Sequence, residues 1–218
     1  MNGSFSVGKV SDRVRYFEIA AVIITAVGKV IFMDILEWRF LFITLVMVSW
    51  IVYIFLRSRQ PGSLRSWGLR SDNFNNAIRL LLPFAVVAVT ASFLIGYFRG
   101  TINLTWHIFP ILILYPLWGT IQQFLVVSLV AGNLCDMQKR RLPIALVMLS
   151  TAALFGLVHY PYYWLMAGTF VLALFYVWVF LRVRNVFALG LFHGWLGGLF
   201  FYTVVDRDPF LEVFGALL

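Results

Sequence analysis

Long apolar runs separated by short polar connections dominate this sequence. A bilayer core requires about 20 mostly apolar residues per helix, and seven stretches of the chain satisfy this requirement. They are 14–37, 39–56, 74–98, 107–134, 143–160, 162–181 and 185–205. The uncharged run from Leu142 to Leu181 is divided at Pro161, because proline disfavours helix in the residue before it. The pattern predicts an all-α, polytopic membrane helix bundle of about seven transmembrane helices, in which residues 1–218 form a single membrane domain.

Positively charged residues predict the orientation of this bundle. Lys and Arg cluster before the first apolar stretch and after the second, fourth and sixth, which are alternate connections of a seven-helix chain. They predict a cytoplasmic N-terminus and place the C-terminal segment, with Asp206, Asp208 and Glu212, on the opposite side. The first apolar run is much longer than the ~7 to 15 residues of a signal-peptide core, so we expect it to remain as a transmembrane helix.

Composition supports a membrane protein and excludes several other classes. The 218 residues are 62% hydrophobic and 12% charged, which leaves too little polar surface to cover a soluble globule. The net charge of +8 lies in short clusters between apolar runs, which favours contact with anionic lipids over nucleic acid. The single Cys135 excludes an intrachain disulfide and a cysteine metal cluster. We expect membrane lipids and a membrane-protein partner, no nucleic acid, and, in a bacterium, a location in the plasma or inner membrane.

Charged residues inside apolar helices require an explanation, because each costs about 2.5 to 3.5 kcal/mol at a helix centre. Glu18 lies near the predicted cytoplasmic end of its helix, and we interpret it as a side chain that reaches back to water. Lys29 lies deeper, and a contact with Asp34 at i+5 is geometrically poor in an α-helix. The spacing predicts a partner for Lys29 on another helix.

Four strongly polar side chains fall in the second half of the membrane region. Gln122 and Gln123 lie near the middle of the fourth apolar stretch. His159 lies at the outer end of the fifth stretch and His193 toward the middle of the seventh. Since the helices alternate in direction and rise by about 1.5 Å per residue, these positions share a similar depth. We expect one glutamine and the two histidines to meet there, and we interpret His107, at the predicted outer interface, as an interfacial residue only.

Small residues are frequent in the fifth and seventh stretches, where they include Gly156, Gly190, Gly194, Gly197 and Gly198. Small residues let membrane helices approach closely, and Gly194 with Gly198 has the small-xxx-small spacing of such contacts. The pattern predicts that the helices at 143–160 and 185–205 pack directly against each other.

The order and spacing of these residues resemble the motifs of the CPBP family of intramembrane proteases, which includes the CAAX prenyl endopeptidases and the bacterial Abi proteins. The family's second motif, Phe-x-x-x-His, is matched by Phe155 and His159 in FGLVH. Its third motif is matched by His193, with Gly197 where the family often has asparagine. The resemblance covers about residues 65–205, including the segment SWGLRSDNFNNAIRLLLP, which is similar to the family's segment ahead of the first motif.

The family's first motif, Glu-Glu-x-x-x-Arg, is where this chain departs from the pattern. The corresponding positions are Gln122, Gln123 and Val127. The resemblance implies that a glutamate at this place activates a water for amide hydrolysis with help from the histidines, but a carboxamide has no titratable base in this range. Within 73–205 the only Asp or Glu is Asp136, in a predicted cytoplasmic loop. We therefore expect a degenerate site without catalytic residues.

Three functions remain open from the sequence, and the cofactor, if any of them uses one, is not defined by it. The leading one is a catalytically degenerate CPBP-like protein that acts as a binding or scaffolding subunit for a membrane partner, a lipid or a hydrophobic ligand. The first alternative is an active intramembrane endopeptidase in which His159 and His193 hold a metal-bound water, although two histidines usually need a third ligand. The second is a pigment- or haem-ligating subunit in which one of these histidines is an axial ligand.

Overall fold

The computed structural model describes residues 10–139 and 142–215, and within these ranges the only regular elements are helices. The α-helices are α1 (Asp12–Lys29), α2 (Arg39–Ser58), α3 (Ser63–Ser66), α4 (Phe74–Arg99), α5 (Ile108–Gln123), α6 (Asn133–Asp136), α7 (Ile144–Leu157), α8 (Tyr163–Val183), α9 (Val186–Phe200) and α10 (Pro209–Phe214). Three π-helical segments extend α1, α5 and α9, and these are Val30–Ile35, Phe124–Gly132 and Phe201–Val205. The all-α prediction is confirmed.

Six helical spans of the described chain are long and apolar enough to cross a membrane. They are Asp12–Ile35, Arg39–Ser58, Phe74–Arg99, Ile108–Asp136, Tyr163–Val183 and Val186–Val205. The remaining predicted span, 143–160, corresponds to the shorter helix α7, whose 14 residues extend about 21 Å at 1.5 Å per residue. A hydrocarbon core is about 30 Å thick, so the fold is a polytopic bundle of six long spans and one short apolar helix.

The spans differ in how much of their surface the protein itself covers. The Val186–Val205 span is 67% buried, and the spans built on α5 and α8 are each 44% buried. The spans of α1, α2 and α4 are only 11% to 17% buried, although they are equally apolar. Large apolar surfaces of this kind are not stable in water. The spans of α5, α8 and α9 therefore form the centre of the bundle, and the spans of α1, α2 and α4 form its lipid-facing periphery.

Helices α5 and α9 make the closest helix contact of the bundle, and glycine makes it possible. A Cβ added at Gly194 would lie 2.3 Å from the backbone nitrogen of Pro116, and one added at Gly190 would lie 2.2 Å from Oγ1 of Thr120. The prediction that these glycines face the 143–160 helix is wrong, because α9 packs them against α5, while α7 packs against α8. Small-residue spacing identifies a close-packed face of a helix but does not identify the helix that covers it.

The end of α1 corrects a second expectation. Lys29 Nζ lies 2.7 Å from Oδ2 of Asp34, so its partner lies on the same helix and not on another one. The segment Val30–Ile35 is π-helical, and hydrogen bonds in a π-helix join residues five apart. The wider turn brings together two side chains at i+5 that a regular α-helix would separate.

Candidate functional site

The centre of the bundle contains a hydrogen bond between Gln123 and His193. Gln123 is the last residue of α5 and His193 lies in the middle of α9, and their Nε2 and Nδ1 atoms are 3.0 Å apart. Both side chains are buried, with exposed fractions of 1% and 5%. The close approach of α5 and α9 creates this geometry, since a Cβ at Gly119 would lie 3.0 Å from Cδ2 of His193. We expected one glutamine and two histidines to meet at this depth, and the hydrogen bond joins Gln123 to one of them, His193.

Phe155 lies between the two histidine rings. Its ring centroid is 5.1 Å from that of His159 and 5.6 Å from that of His193. His159 lies in the turn after α7, where its Nδ1 is 2.7 Å from the carbonyl oxygen of Phe155. A carbonyl oxygen can only accept a hydrogen bond, so His159 is protonated at Nδ1 and donates the hydrogen bond to Phe155. His159 therefore joins the cluster through Phe155 and Thr169, whose Oγ1 is 3.3 Å away, and not through a glutamine.

The other predicted positions take up different environments. Gln122 is half-buried, and its side chain makes no hydrogen bond within the described residues. Val127, at the place of the family's arginine, is fully buried in the apolar core on the π segment Phe124–Gly132. A Cβ at Gly197 would lie 3.9 Å from Nε2 of His193, which places a side chain at this position beside the histidine. The structure therefore groups Gln123, Phe155, His159, His193 and Gly197, and it leaves Gln122 outside.

The chemistry of this intramembrane cluster is that of neutral groups. In the assigned orientation of the Gln123 amide, Nε2 donates to His193 and Oε1 has no hydrogen-bond partner in the described chain. The opposite amide orientation would exchange these roles and leave the amide nitrogen unpaired. Either way the cluster retains one unsatisfied polar atom that a ligand or an ordered water can engage. Within residues 10–139 and 142–215, no three His, Cys, Asp or Glu residues form a metal-binding group.

A second buried polar cluster, centred on Glu18, lies where the start of α1 meets α2 and α6. The interpretation of Glu18 as a side chain that reaches back to water is wrong. Glu18 is only 4% exposed. It accepts hydrogen bonds from Tyr53 at 2.5 Å and from Asn133 at 2.6 Å, and it lies 3.6 Å from Arg57. Because α1 packs against α6 and the preceding π segment, this face of α1 looks inward. Neither Tyr53 nor Asn133 carried a sequence signal that would have identified it as a partner.

The end of the bundle that holds Glu18 also contains the start of α1, the segment around α3, α6 and the α8–α9 connection. We call this end of the bundle the basic end. Arg184, in the α8–α9 connection, donates to both carboxylate oxygens of Asp136 at 2.8 and 2.6 Å and to the carbonyl of Ser66 at 3.0 Å. Burial lowers the pKa of Arg184, but the paired Asp136 carboxylate outweighs this and raises it. Beside this pair lies a partly enclosed cavity of about 340 Å³. We call it the basic-end cavity.

A third cluster lies at the opposite end of the bundle around Asp208. The carboxylate accepts hydrogen bonds from His107 at 2.5 Å, Tyr202 at 2.8 Å and Thr105 at 3.2 Å, and it caps the N-terminus of α10. Burial raises the pKa of Asp208, but the hydrogen bonds from His107 and Tyr202 outweigh it, and the pKa is below its ordinary value. His107 is therefore a partner of a carboxylate, a contact that the sequence interpretation did not include.

Comparisons with known proteins assign no family. A scan against protein-family models, a search of curated proteins and a search of solved structures each found no match. The functional argument therefore rests on the residues and their geometry.

Proposed function

We propose that this chain is a non-proteolytic membrane protein of CPBP-like design, which acts as a binding or scaffolding subunit for a membrane partner, a lipid or a hydrophobic ligand. One observation carries the proposal. Gln123 stands at a position that matches the family's first motif, and its amide is hydrogen bonded to His193 at 3.0 Å in a buried environment. The cluster keeps the arrangement of a glutamate–histidine pair and has a carboxamide in place of the base.

Physical reasons connect this arrangement with a loss of hydrolysis. Activation of a water for attack on an amide requires a group that accepts its proton, and a carboxamide does not do so near neutral pH. An arginine in place of Val127 would be buried in apolar surroundings without a carboxylate partner, which is strongly unfavourable. The replacement of both the acid and the arginine is thus consistent with a site whose catalytic charge is gone.

The lipid-facing periphery supports the binding half of the proposal. Fewer than one in five residues in the spans of α1, α2 and α4 are buried by the protein. Exposed apolar side chains follow these helices, among them Ile24, Leu45 and Val87. In a bilayer such faces contact lipid chains or the helices of another membrane protein. The chain therefore offers a broad hydrophobic contact surface around a polar centre.

The proposal is tested with purified protein in proteoliposomes and with native membranes. We expect no cleavage of a prenylated CAAX peptide or of a membrane-protein substrate by the wild-type chain. We expect a stoichiometric protein, lipid or hydrophobic ligand to remain bound after mild solubilisation, as detected by intact-protein mass spectrometry. The variant His159→Ala, His193→Ala tests whether that partner occupies the intramembrane cluster.

A matched pair of glutamine variants provides the control. Gln123 is hydrogen bonded within the cluster and Gln122 is not, so a partner bound there is expected to be lost from Gln123→Ala and retained by Gln122→Ala. Cleavage by the wild-type chain that disappears in His193→Ala would contradict the proposal and favour an active endopeptidase. A visible absorption band that disappears in a histidine variant would favour the pigment alternative.

A further inference from the structure

The basic-end cavity lies apart from the Gln123–His193 pair and has a different chemistry. It is enclosed by the start of α1, by the segment 65–70 around the end of α3, by the end of the π segment with α6, and by the α8–α9 connection. Four arginines and two carboxylates line it, and these are Arg15, Arg65, Arg70, Arg184, Glu18 and Asp136. The proposed function gives this cavity no role.

The two carboxylates of the cavity are already engaged by the protein. Asp136 is bound in a bidentate manner by Arg184. Glu18 accepts hydrogen bonds from Tyr53 and Asn133, which use one of its oxygens each. Acidic groups that are satisfied in this way contribute less repulsion to an incoming anion than free carboxylates would. The lining therefore favours a negatively charged ligand over a cation.

Unused donors in the cavity point in the same direction. Arg15 donates through Nη1 to Asn133 at 3.3 Å, whereas its buried Nε has no hydrogen-bond partner within the described residues and lies 4.0 Å from Asp12. Ser128 also lines the cavity and is 3% exposed, and its hydroxyl has no partner in the described chain. A buried donor without an acceptor is unfavourable. The oxygen atoms of a bound anion would supply the missing acceptors.

The rim of the cavity adds the guanidinium group of Arg70, whose donors are not all used. Arg70 binds the exposed Asp72 through Nε and one terminal nitrogen, and a guanidinium carries five N–H donors. The hydrogen bond from Arg70 lowers the pKa of Asp72, so the pair is charged at neutral pH. Arginine is suited to phosphate because its planar fork donates two parallel hydrogen bonds. Several such forks around one cavity match the oxygens of a phosphate.

We propose that the basic-end cavity binds a phosphate-bearing ligand, either the headgroup of an anionic phospholipid or a small soluble phosphate ester. The volume of about 340 Å³ is near the lower limit of small-molecule sites, which span about 300 to 1,000 Å³. It accommodates a phosphate with a glycerol-sized group and excludes acyl chains, which would remain in the surrounding lipid. Arg15 and Ser128 contact the phosphate, and Arg70 approaches it from the rim.

The test uses the full chain, delipidated in detergent, with two probes. Phosphatidylglycerol is added and its retention measured by native mass spectrometry, with phosphatidylcholine, whose headgroup is zwitterionic and has no net charge, as the comparison. Glycerol 3-phosphate is added separately, and its binding is measured by calorimetry. Binding of phosphatidylglycerol alone identifies a lipid site that needs the bilayer anchor, and binding of both probes identifies the phosphate ester as sufficient.

The control variants separate the cavity from general surface charge. Arg13 lies two residues from Arg15 on α1 and is exposed, with its guanidinium over Phe17, so Arg13→Gln and Arg15→Gln remove the same charge. We expect Arg15→Gln to weaken binding about tenfold or more, since a hydrogen bond to a charged group is of that strength, and Arg13→Gln to leave it unchanged. Ser128→Leu fills the cavity with every charge retained, and it is also expected to abolish binding.

Two results would overturn the proposal. Neither probe binding the wild-type chain would exclude a phosphate site. Equal binding by the wild type, Arg15→Gln and Ser128→Leu, or equal losses in Arg13→Gln and Arg15→Gln, would show that the charge of this end attracts lipid without using the cavity. If Arg15→Gln fails to fold, Ser128→Ala, which removes only the unpaired hydroxyl, is compared with the wild type. Neither result bears on proteolysis, so failure here is distinct from failure of the proposed function.

Discussion

The bundle contains two buried polar clusters that solve the problem of burial in different ways. The intramembrane cluster around Gln123 and His193 has no carboxylate or guanidinium among its members, and it is closed by direct backbone contact between α5 and α9. The cluster around Glu18 at the basic end retains full charges, several partners for each charge, and a cavity. Desolvation is most costly for a charge and modest for an amide or a neutral imidazole. The deeper cluster is thus neutral and the one nearer a helix end is charged.

The two clusters therefore differ in what they can do. A charged group that is fully hydrogen bonded beside a cavity remains able to exchange an internal partner for a ligand. A neutral pair sealed between two close-packed helices mainly orients the helices that carry it. The positions that resemble the CPBP motifs and the cavity proposed to bind a phosphate therefore lie in different parts of the molecule.

The largest predicted effect is at Glu18. Glu18→Ala removes the acceptor for Tyr53 and Asn133 and the counter-ion of Arg57. Loss of one partner of a buried ion pair costs about 3 to 5 kcal/mol. We expect a reduction of this size in the free energy of unfolding, measured by denaturant titration in mixed micelles. Glu37→Ala, at an exposed carboxylate between α1 and α2, is the control and is expected to remain close to the wild type. A small effect of Glu18→Ala would contradict the idea that charge stabilises the basic end.

The next effect concerns the close contact between α5 and α9 beside the intramembrane cluster. Gly194→Ala places a Cβ 2.3 Å from the backbone of Pro116, whereas Gly197→Ala, one turn later, meets its nearest neighbour at 3.6 Å. Overpacking of a close contact costs about 1 to 3 kcal/mol. Gly194→Ala is therefore expected to lower the thermal unfolding midpoint, measured by tryptophan fluorescence, and Gly197→Ala to leave it nearly unchanged. Equal midpoints for the two variants would mean that α5 and α9 are not in direct contact.

The sequence predicted the helices well because hydrophobic length is a local property. The stretches 39–56 and 74–98 correspond to Arg39–Ser58 and Phe74–Arg99. It also placed Gln123 and His193 at a common depth, which needs only alternating helix direction and a constant rise. It failed where the outcome depended on which faces meet in space, because the long-range partners of Glu18 are not encoded in hydropathy. The helical register was a further source of error, since the π segments rotate the side chains that follow them.

The stability that the Asp208 carboxylate contributes should be lost in acid. The pKa of Asp208 is below its ordinary value of 3.8, so its contribution to stability is complete above that value and is lost as the pH falls through the lower folded-state value. Asp208→Asn retains a capping oxygen for α10 but removes the charge that accepts from His107, Tyr202 and Thr105, and it is expected to cost about 1 kcal/mol at neutral pH, since hydrogen bonds to a charged group are stronger than neutral ones. The difference in stability between the wild type and Asp208→Asn should decrease in acid, measured as unfolding midpoints from pH 7 to pH 3. A difference that is constant with pH would mean that the carboxylate is not charged in the folded protein.

The smallest effect should come from the intramembrane pair itself. Gln123→Ala removes the hydrogen bond to His193, and such bonds between membrane helices contribute about 0.6 kcal/mol on average. We expect a loss of that order in the free energy of unfolding and no loss for Gln122→Ala, whose side chain has no hydrogen bond in the described chain. A loss as large as that of Glu18→Ala would break the comparison, since it would mean that a neutral pair deep in the bundle stabilises the fold as strongly as the charged cluster at its end.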